Sequence, residues 1–181
     1  MAHLAFFTFA ILREGPAHPD AQAFLARVEA NFAAAELSVG FVARSVLDPI
    51  TGEHSWGRCL APRFFEEGRH QLAPRSLSLW ASLEAVYAFT YAGIHAEALS
   101  HRREWYLPAA WPPYVAWWVP AEHRPDWAEA VARHEQLHDG GPSATAFDFK
   151  HAYGANGVPA TIDRALVKEY QLRNAARLAG T

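Results

Sequence analysis

Residues 75–106, RSLSLWASLEAVYAFTYAGIHAEALSHRREWY, constrain the fold of this chain more than any other stretch. The opening is strand-like: Ser76, Ser78 and Trp80 alternate with Leu77 and Leu79, the period of two that a pleated sheet imposes. Ser82 then offers a hydroxyl to cap a helix, and Glu84 places negative charge in its first turn. Leu83, Val86, Tyr87 and Tyr91 follow at spacings that stack on one helical face. Gly93 breaks that helix, since glycine tolerates the left-handed backbone that ends one. A second short helix is predicted over residues 94–104, with Arg102 and Arg103 suited to the negative end of its dipole. His95 therefore stands in the first turn after a break, with aromatic residues on both sides in sequence. It is the first candidate for a chemical centre.

The rest of the chain supplies partners for that strand and helix. Residues 3–11 (HLAFFTFAI) are apolar at consecutive positions, as in a strand buried on both faces. Gly15, Pro16 and Pro19 mark the turn out, and Phe24, Leu25, Val28 and Phe32 form one helical stripe. Gly40 ends that helix, and 41–47 reads as a second strand. Residues 48–74 are irregular, and a loop of this length is functional or mobile more often than not. Its Trp56, Phe64 and Phe65 either fold over a cavity or pin the loop to the surface. A fourth strand is predicted at 114–119, a helix at 124–138 stopped by Gly140, Gly141 and Pro142, and a short extra strand at 146–150. Ile162, Ala165, Leu166, Glu169, Tyr170 and Arg173 predict a C-terminal helix, expected to clasp a dimer partner. The order β-α-β-β-α-β is the ferredoxin-like arrangement of an α+β fold, with helices on one face of the sheet. We expect a domain over 1–150 and a helical extension over 151–181. With helices covering one face only, the apolar second face predicts a homodimer.

Composition excludes several classes. A net charge of −3 gives no electrostatic case for nucleic acid or an anionic membrane. No stretch approaches the ~20 apolar residues of a membrane span, and no secretory signal opens the chain, so the expected location is the cytoplasm. Cys59 is the single cysteine, which excludes an intramolecular disulfide, and it has no adjacent histidine partner to activate it. The seven Trp, six Tyr and eleven Phe suit a bulky core or a pocket for a flat apolar ligand. Nothing resembles a phosphate-binding glycine loop or a dinucleotide fingerprint.

GFVAR at 40–44, SLSLWASLEA at 76–85, HAEALSHRREWY at 95–106, WWVPAEHRP at 117–125 and GPSATAFDF at 141–149 carry a resemblance. Together they resemble a bacterial family catalogued as a domain of unknown function within the dimeric α/β-barrel superfamily, which also holds the antibiotic-biosynthesis monooxygenases. The resemblance covers roughly the first 150 residues. It implies two ferredoxin-like sheets paired into a barrel. It also implies a small oxidoreductase, monooxygenase-like, acting on an aromatic or polyketide-like substrate held between sheet and helices. His95 belongs to the family motif. In a cofactor-free version it would deprotonate a phenol-like substrate, with Trp80, Tyr91 and Arg44 stabilising the carbanion; in a haem version it would be the axial ligand. Trp80, Asn31, Trp117 and Phe6 would line the substrate pocket. The rivals are a non-catalytic module that binds a hydrophobic small molecule, and an isomerase or lyase using the same histidine.

The bland readings stand beside these. His95 is equally a helix-cap or buried structural histidine, and Trp80 and Tyr91 are equally core aromatics. Arg44 is either at a solvated strand edge or aimed into a cavity, where it would hold a carboxylate or enolate oxygen. Residues 134–138 spell H-E-x-x-H, in which His134 and His138 would share a helix face and Glu135 would act beside zinc. The glycines directly after His138 truncate that helix, and no third ligand follows at a recognisable spacing. The resembled family typically carries an apolar residue at the position of His134. The expectation is that the motif is incidental and binds no metal.

Overall fold

The first strand, β1 (Ala2–Phe9), lies in the interior of the sheet, and its register explains its composition. Leu4 and Phe6 join the core on one face, Ala5, Phe7 and Phe9 the core on the other, and all five are at most 4% exposed. The computed structural model describes residues 2–180. After β1 come α1 (Pro19–Leu25), α2 (Val28–Glu36), β2 (Phe41–Arg44), β3 (Arg75–Trp80) and α3 (Leu83–Thr90). They are followed by α4 (Gly93–Ser100), α5 (Arg102–Trp105), β4 (Tyr114–Pro120), α6 (Trp127–Gly140) and α7 (Arg164–Ala179). The fold is α+β, and its four strands form an antiparallel sheet in the order β2-β3-β1-β4.

The two faces are covered differently. On the first, Leu4, Phe6, Trp80 and Ala116 pack with Val86 of α3, Val167 of α7 and the side chains of Phe147 and Phe149. On the second, Phe7, Leu79, Val115 and Trp117 meet Trp127, Ala130 and Leu137 of α6. Trp56, Phe64 and Phe65 of the long loop pack against that same second core. The expectation of helices on one face is therefore corrected. The 14-residue α6 presents Trp127, Ala130, His134 and Leu137 at three- and four-residue spacings, a stripe that only a sheet face can bury. The face reserved for a second copy is filled by the chain itself, so the argument for a homodimer from a bare face loses its basis.

Other expectations change in detail. The first helix is two, α1 and α2. Arg27 sits between them, donating from Nη1 to the Ala23 carbonyl at 2.8 Å while its Nε and Nη2 reach the Glu97 carboxylate, both at 3.2 Å. The second strand ends at Arg44, and beyond it Leu47 pairs across a turn with His54. The extra strand at 146–150 shrinks to two isolated bridges, Ala116 with Phe147 beside β4 and Ser143 with Ala146. The C-terminal helix α7 packs along this chain's own α3. It is tied down by Asn174 Oδ1, which accepts the Val39 N–H at 2.8 Å, and by Arg177, which donates to the Leu37 carbonyl at 3.0 Å.

Gly40 shows how tightly α3 sits on the sheet. Its φ is +76°, and a Cβ there would lie 2.7 Å from the Cβ of Ala85, which is fully buried. Gly40→Ala should cost about 2–4 kcal/mol, combining left-handed strain with overpacking. Gly52 has a similar φ of +72°, but a methyl group there would meet nothing within 4 Å, so Gly52→Ala should cost only about 1 kcal/mol. Urea denaturation of both variants checks this, and equal losses would show that the Ala85 contact does not matter.

Candidate functional site

The first face of the sheet ends in an aromatic cluster that gathers three of the seven residues picked out from sequence. Phe6 stacks on Phe149, with ring centroids 5.5 Å apart, and lies 5.2 Å from Tyr114 at the start of β4. Tyr91, the C-cap of α3, packs 4.5 Å from Tyr87 and 6.1 Å from Phe149. Tyr87 and Tyr91 are one turn apart on α3, which places both rings on the same side of the helix. Trp80 anchors the inner end: it is 1% exposed, stacks on Phe89 at 5.3 Å, and donates from Nε1 to the Ser78 hydroxyl at 2.9 Å.

Tyr91 is the outermost member, 43% exposed. Burial raises the pKa of its hydroxyl, an effect opposed by the neighbouring Tyr114 hydroxyl and by Arg164. Tyr114 is pushed up more strongly, again by burial first, and the Phe149 N–H that donates to its oxygen at 3.2 Å works the other way. Both are thus protonated hydroxyls at neutral pH, able to donate a hydrogen bond to an anionic oxygen. Arg164, the first residue of α7, stands 4.4 Å over the Tyr87 ring and has no carboxylate within ion-pair distance among the described residues. Asp148 feeds charge to the same place, since it raises the pKa of both Tyr91 and Tyr114. Its Oδ1 accepts the backbone N–H of His151 at 2.8 Å and His151 Nδ1 at 3.0 Å.

The remaining sequence candidates lie elsewhere. His95 is half-buried, and its Nδ1–H donates to the Thr90 carbonyl at 2.9 Å, one of the orphan acceptors at the end of α3. Its ring rests 4.9 Å from Phe89, and burial lowers its pKa against the opposing effect of the Thr90 bond. Arg44 is occupied: its Nε donates to Glu36 at 2.7 Å and its guanidinium lies 4.1 Å over Phe32. Asn31, on α2 next to Phe32, keeps a buried Oδ1 without a hydrogen-bond partner. Trp117 is on the second face, where Nε1 donates to Glu129 at 2.9 Å. The period of two along β4 predicts that separation, because Trp117 and Tyr114 differ by an odd number of residues. Sequence reasoning missed Tyr114, Phe149, Asp148, His151 and Arg164, which come from three segments with no local signal. Only the four-residue spacing of Tyr87 and Tyr91 announced part of the cluster.

The cavity next to His95 in sequence is too small for haem. The cavity adjoining Phe89, Gly93, Ile94 and Asn174 holds about 80 Å³, whereas pockets for drug-sized ligands run from about 300 to 1,000 Å³. The H-E-x-x-H segment is also committed to other bonds. His134 is fully buried, its Nε2–H donating to the Pro112 carbonyl at 2.6 Å among Phe7, Phe9 and Phe64. Glu135 accepts the Arg63 N–H at 2.7 Å, and the Arg63 guanidinium meets His138 and Asp139, holding the Asp139 carboxyl below its usual range. These bonds fasten the long loop to α6. Among the described residues no three His, Cys, Asp or Glu are grouped to hold a metal ion. Cys59 has a guanidinium beside it in space: Arg75 Nε donates to its Sγ at 3.0 Å.

Over residues 3–163 the chain matches a family model described as Domain of unknown function (DUF3291). The chain belongs to this family. No curated protein and no solved structure matches it. The DUF3291 stretch ends at Asp163, so it includes every aromatic of the cluster and stops one residue before Arg164. No helix among the described residues is long and apolar enough to cross a membrane.

Three histidines make the fold acid-sensitive. Burial lowers the pKa of His54, helped by the Arg75 charge, and burial also lowers those of His95 and His134. Each stays neutral in the fold after the unfolded chain would take up a proton at about pH 6.5. Stability is therefore full above about pH 6.5 and falls as the pH drops toward the lowered folded values. His101, raised by its bond to Glu104, works in the opposite sense. For the fully buried His134 the limiting slope is about 1.4 kcal/mol per pH unit. His134→Gln should be less stable at neutral pH, yet lose stability less steeply below about pH 6.5. Urea midpoints measured across that range check it, and an unchanged slope would remove His134 from the account.

Proposed function

We propose that this DUF3291 protein binds a planar hydrophobic small molecule carrying an acidic oxygen, a phenol or an enol, at the cluster of Tyr87, Tyr91 and Tyr114. One observation carries the reading. Half-exposed Tyr91, a neutral hydroxyl at physiological pH, stands on an aromatic floor beside Arg164, a guanidinium without a carboxylate partner among the described residues. Tyr91 and the partly exposed Tyr87 offer aromatic surface against which a flat ring packs, and Tyr91 and Arg164 offer donors for its oxygen. The β-α-β-β-α-β order and the strand order β2-β3-β1-β4 support a ferredoxin-like core and, through it, a place in the dimeric α/β-barrel superfamily. A homodimer would have to use a surface other than the second sheet face.

The catalytic version of this reading is a cofactor-free, monooxygenase-like oxidoreductase or an isomerase, and the Asp148–His151 pair favours it. With Nδ1 bonded to Asp148, Nε2 of the neutral imidazole is free to take a proton from the bound ligand. The oxyanion that forms would be held by Tyr91 and Arg164, the electrostatic role such donors play in enolising enzymes. Deprotonation is the step the two enzyme classes share. His95 is left out of this scheme because its ring packs on Phe89, away from Tyr87, Tyr91 and Tyr114.

The test is a fluorescence titration with 2-naphthol as the planar phenol. Tyr91→Phe and Arg164→Leu should each weaken binding about ten-fold, the worth of a hydrogen bond to a charged or polarised oxygen. His95→Ala should leave the affinity unchanged and cost about 1 kcal/mol in stability, from one lost hydrogen bond. Wild-type affinity in both Tyr91→Phe and Arg164→Leu would overturn the proposed site.

A further inference from the structure

We infer a second binding site, for a small zwitterion of the α-amino-acid class, in the cleft between the end of β1, the end of the long loop and the segment after α5. The cleft has a volume of about 260 Å³, just below the range for drug-sized ligands, and is lined by Leu12, Arg13, Glu14, Arg69, His70 and Gln71, with Gly15 and Leu107. It lies on none of the aromatic cluster's residues and does not depend on the reading above.

Its walls are held by main-chain bonds on both sides. Leu12 N–H donates to Leu72 O at 2.9 Å, Arg13 N–H to Trp105 O at 2.8 Å, and Leu107 N–H to Ile11 O at 3.0 Å. Two of the donor side chains are oriented in advance. Arg13 Nη2 donates to the carbonyls of Arg103 and Tyr106 at 3.1 and 3.2 Å, which fixes the guanidinium and leaves its Nε and Nη1 edges uncommitted. His70 Nδ1 accepts the Glu66 N–H at 3.0 Å, so the proton of the neutral ring is on Nε2, which is a donor. Arg69 adds a second guanidinium, paired only with Glu66 across an exposed turn. Preorganised guanidinium and imidazole donors suit a carboxylate.

The acidic member decides the class of ligand. Glu14 is half-buried in the lining and makes no hydrogen bond or ion pair among the described residues. A site for a simple anion would gain nothing from a carboxylate in its wall, whereas one for a zwitterion uses it to receive the ammonium group. Gln71 completes the wall by lying directly on Gly15: a Cβ at Gly15 would come within 2.1 Å of Gln71 Oε1. Any side chain at position 15 therefore drives the Gln71 amide out of its place.

The experiment is isothermal titration of the full chain with free α-amino acids, each paired with the carboxylate that lacks its amino group. At least one amino acid should bind more tightly than its des-amino partner. Glu14→Gln should weaken that amino acid about ten-fold and leave the des-amino carboxylate unaffected, and Arg69→Ala should weaken both. Gly15→Ala, whose φ is compatible with alanine, should reduce binding while thermal melts show an intact fold. Two results overturn the inference: no amino acid binding at millimolar concentration, or binding that is unchanged in Glu14→Gln and Arg69→Ala.

Discussion

The two-sided burial of β1 is the constraint on which the rest of this structure depends. An interior strand with Leu4 and Phe6 on one face and Phe7 and Phe9 on the other needs two separate covers. The helices between strands supply only one of them. The second is assembled from α6 and the long loop, and neither could hold alone: α6 has one apolar stripe, and the loop has no regular structure of its own. They hold together through Arg63, whose N–H and guanidinium bond Glu135, His138 and Asp139. All four of these groups keep solvent contact, so the bonds add position more than energy. The energy comes from Trp56, Trp127 and Phe64 closing over the sheet.

Covering both faces leaves little interior space, and that shapes where chemistry can happen. The region between sheet and helices, where the family resemblance puts a substrate, is taken up by Phe6, Phe149 and Trp80. A ligand on that face would sit at the rim, where Tyr91 is half-exposed and Tyr87 partly so. The same burial that closes the interior raises the tyrosine hydroxyls and lowers the histidines, because a charge on either loses its hydration. The rim is consequently supplied with neutral donors, and Arg164 adds a fixed positive charge there.

Period and turn chemistry made much of the fold legible. The alternation at 75–80, the Ser82 cap and the Gly93 break were all readable because each is a local, backbone-level preference, and Ser82 Oγ does accept the Ala85 N–H at 3.2 Å. The doubly apolar β1 was equally plain. What it was buried against was not, since an uncovered face and a face covered by one's own α6 demand the same residues on the strand. The H-E-x-x-H segment illustrates the same limit: four-residue spacing puts two side chains on a helix face without saying whether that face meets solvent, a loop or a core. For His134 it meets the core. Of the candidate site, Tyr91 and Phe6 come together as their elements suggested, while Arg44, left by the sequence between a strand edge and a cavity, pairs with Glu36 of the preceding helix.

The division of the rim between two parts of the chain bears on what can vary. Tyr87, Tyr91, Tyr114 and Phe149 lie inside the stretch that defines DUF3291, whereas Arg164 is the first residue past it. The aromatic floor is built into the sheet and α3, so changing it would disturb the core through Phe6 and Trp80. The guanidinium is carried by the N-terminal turn of α7, whose own attachment rests on Asn174, Arg177 and the α3 contact further along. Charge at this position can therefore be exchanged without loosening either the floor or the helix. In the proposed site a flat ring would be recognised by what the fold cannot give up, and the oxygen it carries by what the fold can spare.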